Sequence, residues 1–418
     1  MTDTPLRPEY PGPDGGVLTC ETLITPGVTL RPGWIHLTAG TVTALGAGTP
    51  PRPVDRQLPS GSLVIPGLVD THVHGGGGHA MTIPDEREVS GATAYHLQHG
   101  TTATIVSLIT APTQQLLDSL ELVADLVERG AGRHGRVLGS HLEGPYLSSV
   151  RRGAHSAAHL RHPTRTGVEA LLEAGRGTLR MLTFAPELPG TLGAGGLIRQ
   201  LRDHGVTAAV GHTDASYDDT RQALADGATA ATHLFNGMRP IHHREPGPIA
   251  ALLADDDTSC ELINDGVHVH PGIARLAARL LGAGRLVLIT DAVSATGAPD
   301  GEYLLGQTPI VRRGGTIRTA DGTSLGGSDL TMAEALRRAV AVLGLDIADA
   351  VAATTVRPAQ AVGCAATAGS LSAGRSADLV VLDGDLRVQA VMVAGAWMKR
   401  PPEPTPITAP ARMREPSP

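Results

Sequence analysis

The stretch Val64-Ile-Pro-Gly-Leu-Val-Asp-Thr-His-Val-His-Gly-Gly-Gly-Gly78 carries two histidines, one residue apart, at the end of an apolar run. Alternate residues of a strand point to the same side, so His72 and His74 project together. Such a pair at a strand tip, followed by a glycine-rich turn, reads as half of a metal site. The plain alternative is two surface histidines on a loop. Comparable polar endings recur downstream: Ser140-His-Leu-Glu143-Gly-Pro-Tyr146, Val210-Gly-His212-Thr-Asp214, Thr232-His233-Leu-Phe-Asn236-Gly-Met238, Asn264-Asp-Gly-Val-His268 and Ile289-Thr-Asp291. Glu143, His212 and His233 offer one carboxylate and two imidazoles, a catalytic set that leaves a position for water. His72, His74 and Asp291 could hold a second ion beside it. His141 precedes Glu143 by two on the same strand face and is a candidate to brace a ligand. The remaining histidines have a simpler reading. His96 and His99 lie in or just after a helical segment, His204 ends another and His134 sits in a loop; all are expected to be solvated. His242 and His243, beside Arg244, are left open.

These endings need elements to carry them. Apolar strand-like runs cover Leu68–His74, Thr101–Ile109, Arg136–Glu143, Leu179–Glu187, Thr207–His212, Ala228–His233, Cys260–His268 and Leu286–Asp291. Helix-like segments alternate with them at Asp85–Gln98, Thr113–Glu128, Gly195–His204, Tyr217–Asp226 and Pro271–Leu281. Eight strands alternating with helices predict a (β/α)₈ TIM barrel, whose chemistry collects at the C-terminal strand ends. Thr331–Leu343 and Asp346–Thr354 are predicted as closing helices, and Glu302–Ser324 as a hairpin inserted after strand eight. Short β-like runs before residue 65, such as Gly33-Trp-Ile-His-Leu37, resemble those of Ala377–Asp383 and Val388–Gly395. The expected organisation is a small β-sandwich domain from both chain ends (1–64 and 368–400), a barrel over 65–367, and a disordered Pro-rich tail over 401–418.

Composition narrows the function. At 418 residues with 41% hydrophobic content, the chain is long enough to bury a large core, and 2% aromatics make that core aliphatic. A net charge of −7 with scattered basic residues gives no nucleic-acid footprint. The three cysteines are far apart, so neither a zinc ribbon nor a disulfide framework is expected. The first residues have no apolar signal core and no run is long enough to span a bilayer, so the expected location is cytoplasmic with no membrane partner. Lys399 is the only lysine. Arginine must therefore serve anion recognition.

Jointly, Val-Asp-x-His-x-His, the histidines of strands five and six and Asp291 resemble the amidohydrolase superfamily. Within it, the chain is similar to the N-acetylglucosamine-6-phosphate deacetylase branch. The matching stretches are His141–Tyr146, Arg152-Gly-Ala-His155, Thr183-Phe-Ala-Pro-Glu187, Val210–Asp214, Thr232–Met238, Arg244-Glu-Pro-Gly247, Asp265–His268 and Thr290-Asp291, in the family's order. The resemblance implies one or two divalent ions per chain (Zn, Fe, Co or Mn), the first held by Glu143, His212 and His233. It implies Asp291 as catalytic acid/base and His155 as a second catalytic group. His155 and His268 would lie near the substrate, while Asn236, the Gly237 backbone and Arg244 would face its phosphate. Many members carry Ala where this chain has Gly237. The implied reaction converts N-acetylglucosamine 6-phosphate to glucosamine 6-phosphate and acetate, as in amino-sugar catabolism and cell-wall recycling. The alternatives are the galacto substrate, a non-catalytic scaffold or a sugar-phosphate sensor. A homodimer is implied, with Arg244 reaching the neighbouring site. Many two-metal relatives bridge their ions with a lysine on strand four; none stands there, which leaves Glu143 as the bridge.

Overall fold

A computed structural model describes residues 15–130 and 135–401. Residues 402–418 of the proposed disordered tail, the first residues and His134 lie outside the described residues. Eight parallel strands form the central sheet: β1 (Leu68–Val73), β2 (Thr101–Ile109), β3 (Arg136–Glu143), β4 (Leu179–Phe184), β5 (Thr207–Val210), β6 (Ala230–Ala231), β7 (Ser259–Leu262) and β8 (Leu286–Leu288). They neighbour one another in chain order. Past the end of β8 the chain meets β1 again, with Asp291 N donating to His72 O at 2.9 Å and His74 N to Ala292 O at 2.7 Å. The sheet thereby closes into a barrel, as the alternation of runs requires.

Helices cover the outside. α1 (Glu86–Gln98), α2 (Thr113–Arg129), α3 (Arg165–Gly175), α4 (Leu197–Asp203), α5 (Tyr217–Asp226), α6 (Gly247–Ala254) and α7 (Pro271–Arg285) follow successive strands. α8 (Met332–Arg338), α9 (Ile347–Thr354) and α10 (Val356–Ala361) complete the ring. Their starts follow capping chemistry. Ser216 caps α5 with a reciprocal bond to Asp219, and Asp85, Thr164 and Thr331 accept first-turn N–H groups of α1, α3 and α8. Leu116, Leu120 and Val123 of α2 and Val168 and Leu171 of α3 sit in one apolar cluster with the strand residues Leu142, Leu182 and Val210.

α3, α6 and α10 lie outside the helix-like segments named from the sequence, although the eightfold alternation requires a helix after strands three and six. α3 has the right apolar spacing, but glycines at Gly167 and Gly175 interrupt it. α6 opens on Gly247-Pro248 and is short. The strands of the second half are also shorter than their apolar runs, because the chain leaves the sheet before the polar ending. The insertion after β8 is a three-stranded antiparallel sheet (Gly301–Leu305, Thr308–Arg313, Thr316–Thr319), one strand more than a hairpin.

Both chain ends build two further sheets. One has the order Thr41–Ala47, Gly33–Thr38, Gly15–Cys20, Arg56–Gln57. The other runs Ala396–Lys399, Val388–Val393, Leu379–Leu382, Leu63–Pro66, Thr22–Thr25, Val28–Leu30. Leu18, Ile35 and Val42 of the first share a core with Leu23, Val64, Leu379 and Trp397 of the second. Leu63–Pro66 joins β1 through Gly67 alone, where a Cβ would lie 1.9 Å from Thr102 Oγ1. Among the described residues no helix is long and apolar enough to cross a membrane.

Candidate metal centre

The C-terminal ends of β1, β3, β5, β6 and β8 converge on Glu143. Its Oε1 lies 3.0 Å from His212 Nε2 and 2.8 Å from His233 Nε2. Its Oε2 lies 3.1 Å from His74 Nε2 and 3.3 Å from His155 Nε2. His72 Nε2 is 3.6 Å from Oε1. Two ligand groups share the carboxylate: Glu143 with His212 and His233, and Glu143 with His72 and His74. Asp291 Oδ1 closes the second group at 3.7 Å from His72 Nε2 and 3.5 Å from His74 Nε2.

The backbone makes this convergence at a cost. His212, His233 and Asp291 each follow the end of a strand and adopt left-handed φ values of 46°, 28° and 51°. Such a residue costs about 1–3 kcal/mol and persists only where its surroundings enforce it. Here the turn swings the chain off the sheet and leaves the side chain over the barrel mouth. Arg151 helps hold it: its carbonyl accepts from His212 Nδ1 at 2.8 Å, and its guanidinium is fixed by Asp214 at 2.8 Å.

The ring tautomers fit a cation. His74 Nδ1 donates to Ser107 O at 3.0 Å, and His212 Nδ1 to Arg151 O. Their Nε2 atoms are then bare lone pairs aimed at the carboxylate. His212 and His233 Nε2 lie 3.1 Å apart, as do His72 and His74 Nε2. In each pair at least one Nε2, that of His212 or of His74, presents a lone pair that a cation standing between the rings would take up. Imidazole and carboxylate donors suit Zn²⁺, Fe²⁺, Co²⁺ or Mn²⁺.

Burial opposes ionisation of Glu143, yet the imidazoles around it, His155 and His72 foremost, hold its carboxyl well below the usual range. Burial pulls His155 down to about 4 against the Glu143 charge. His155 Nδ1 meets the Thr110 hydroxyl at 2.9 Å. His268 is also buried, but the Asp265 carboxylate, 2.7 Å from its Nδ1, outweighs burial and raises it.

A pocket of about 210 Å³ opens above the carboxylate. His155, Asn236, Gly237, His268 and Asp291 line it with the ligand groups, and Leu305 and Leu325 form a wall from beyond β8. A Cβ at Gly237 (φ 59°) would lie 2.7 Å from His212 Nδ1, so a side chain here would require the ring or the backbone to shift. Arg244 is not brought here. It is exposed, its guanidinium faces His243 at 2.7 Å, and no Arg or Lys of the described residues lines the pocket.

Below the ligands lies a polar layer. His141 bridges Ser107 Oγ at 3.1 Å and Thr183 Oγ1 at 2.8 Å, and its ring packs 4.7 Å from that of His72. Burial holds it well below the usual histidine value. Asp70 accepts from the Thr290 hydroxyl at 2.5 Å, just before Asp291, and burial pushes its carboxyl up to about 7. Glu261 of β7 faces His72 Nδ1 at 3.0 Å. Asp70 is the acid of the Val-Asp-x-His-x-His motif, though no role was read for it; Glu261 was not picked out from sequence, since one acid inside an apolar strand has no spacing signature. His96, expected in solvent, is buried: its Nε2 meets Gly75 O at 2.9 Å, and burial lowers it to about 4. It faces the glycine turn after His74 and braces that turn. His99 is half-buried, with Nδ1 on Tyr95 O at 2.9 Å, and His204 is exposed.

Closed barrel and convergent ligands match a known pattern: residues 63–398 fit the Amidohydrolase family, and the chain belongs to it. Within that family, eight curated proteins that it matches are deacetylases of amino-sugar phosphates. It is 36% identical over 380 residues to the N-acetylgalactosamine-6-phosphate deacetylase of Escherichia coli O157:H7, covering 91% of this chain and 98% of the relative. It is 34% identical over 357 residues to the N-acetylglucosamine-6-phosphate deacetylase of Vibrio furnissii, covering 85% and 88%. Among solved structures, it is similar to a point mutant of N-acetyl-D-glucosamine-6-phosphate deacetylase from Mycobacterium smegmatis in complex with N-acetyl-D-glucosamine-6-phosphate. There the TM-score is 0.88 and the identity 45%, over 93% of this chain and 100% of that one.

Proposed function

We infer that the chain hydrolyses the 2-acetamido group of N-acetylglucosamine 6-phosphate to glucosamine 6-phosphate and acetate. One observation carries this reading: a carboxylate shared by four imidazoles stands at the floor of a small pocket whose rim holds Asp291, His155 and His268. A divalent ion on Glu143, His212 and His233 would polarise the amide carbonyl and acidify the attacking water. Asp291 receives the proton of that water while its oxygen bonds to the acetamide carbon. His155 assists the oxyanion. Its Nδ1 is held by the Thr110 side chain at 2.9 Å, and in the tautomer protonated at Nε2 the ring can donate to the carbonyl oxygen. Asp291 then delivers its proton to the nitrogen as the C–N bond breaks. His268, Asn236 and the Gly237 backbone orient the sugar. Glu143 is the bridge if a second ion occupies His72, His74 and Asp291.

The phosphate needs a cation that the pocket's own lining lacks. Arg244 of a second copy is the proposed source, which makes the working unit a homodimer. The relatives include galacto-specific enzymes, so N-acetylgalactosamine 6-phosphate is the second reading. Acetate release from both substrates, measured side by side, tests the activity and the choice. Faster turnover of the galacto sugar reverses the preference, and no release from either sugar by metal-loaded protein removes the deacetylase reading.

A further inference from the structure

What stands behind each imidazole sets His72 apart. His74 and His212 donate Nδ1–H to neutral backbone carbonyls, and His233 Nδ1 is buried without a partner. His72 alone among them turns Nδ1 to a carboxylate, Glu261 Oε2 at 3.0 Å. Glu261 is 3% exposed, and its other contacts are neutral: the His233 N–H at 3.4 Å and the Thr71 hydroxyl at 3.5 Å. Among the described residues it pairs with no Arg or Lys. A buried carboxylate is expensive unless a positive charge compensates it. Here the compensating charge has an evident place, on the far side of the His72 ring. With Nδ1–H given to Glu261, His72 Nε2 presents a lone pair to that of His74, 3.1 Å away.

Charge makes the arrangement selective. Glu143 is the one carboxylate shared by both ligand groups. Two dications around it would leave an excess of positive charge that Asp291 offsets only in part. Glu261 adds a negative charge through His72, on the side of the His72–His74 group.

We propose that Glu261 is a positioning residue that controls ion occupancy at His72, His74 and Glu143, and so determines whether this chain holds one ion or two. The inference rests on the reading that a second ion binds there. A carboxylate behind a ligating imidazole fixes its tautomer and strengthens it as a donor, and its loss typically costs 10–100-fold in metal affinity.

Glu261→Gln keeps the shape and removes the charge. Metal-free wild type and variant are titrated with Mn²⁺, followed by elemental analysis and electron paramagnetic resonance. Wild type should take two ions, with the second spin-coupled to the first. The variant should bind the first ion unchanged and the second about 10–100-fold more weakly. At a concentration that fills the wild type, it should show the spectrum of an isolated ion. Glu261→Asp, which keeps the charge, should recover part of the loss. In a His72→Ala background, Glu261→Gln should not alter the remaining ion's affinity, a coupling that a merely structural role would not produce. The proposal is overturned if Glu261→Gln binds the second ion like wild type, if both ions weaken equally, or if Asp is no better than Gln. Wild type that takes one ion at every concentration removes the second-ion reading itself, and the role of Glu261 with it.

Discussion

Asp291 stands between the His72–His74 pair and the open pocket, so its carboxylate faces both the ligand cluster and any substrate above it. Asp291→Asn keeps the size and removes the base. We expect kcat to fall about 10²–10⁴-fold while substrate still binds; a rate near wild type refutes the role. Gly237 admits no side chain without pressing on His212, so Gly237→Ala should weaken the ion at Glu143, His212 and His233. Competition against a chelator measures it, and unchanged affinity means the backbone there yields easily. The Asp265–His268 pair gives a pH test. Burial would raise Asp265, but the hydrogen bond from His268 lowers it, and His268 in turn is raised. A raised histidine stabilises the fold fully below about 6.5 and loses that contribution as pH rises through its folded value. A lowered aspartate contributes above about 3.9 and loses it as pH falls through its folded value. The pair therefore contributes most between these limits, and Asp265→Asn should flatten the stability profile on the alkaline side. An unchanged profile, by thermal unfolding across pH, removes the pair's contribution.

At the scale of elements, the first half of the barrel was legible because β1, β2 and β3 fill their apolar runs almost without a break. β5, β6 and β8 were read too long for one physical reason. The chain exits the sheet into left-handed turns at His212, His233 and Asp291, and an apolar run gives no sign of where pairing stops. The same turns put the chemistry where strand order alone would place it. The alternation called for α3 and α6, but their bounds were not legible, because glycine and proline mask the period. Glu261 was invisible, and Asp70 had no readable role, because their partners, His72 and Thr290, come from other strands. The junction between β1 and the strand before it permits a direct test. Gly67→Ala would drive a Cβ into Thr102, and such overpacking costs about 1–3 kcal/mol. A lower Tm with unchanged metal content is expected; an unchanged Tm means the Thr102 side chain can move aside.

For the molecule as a whole, a sugar phosphate needs a cation in the pocket, and among the described residues no Arg or Lys lines it. Arg244 sits on an exposed loop flanked by Pro240 and Pro246, each with φ set by its ring. If it serves a neighbouring copy, Arg244→Ala should raise KM for the phosphorylated sugar far more than for the unphosphorylated one. Mixing Arg244→Ala with Asp291→Asn chains should restore turnover once subunit exchange is demonstrated, because some mixed sites hold both groups. Exchange without rescue places Arg244 in its own chain's service. Both expectations depend on the claim that the convergence on Glu143 is a catalytic metal site. The most direct measurement is acetate release from N-acetylglucosamine 6-phosphate by chelated protein, with bound metal counted in the same sample and divalent ions then restored. Turnover should vanish with the last ion and return in proportion to ions rebound, and should not return in Glu143→Gln. Full turnover by metal-free protein would contradict the account.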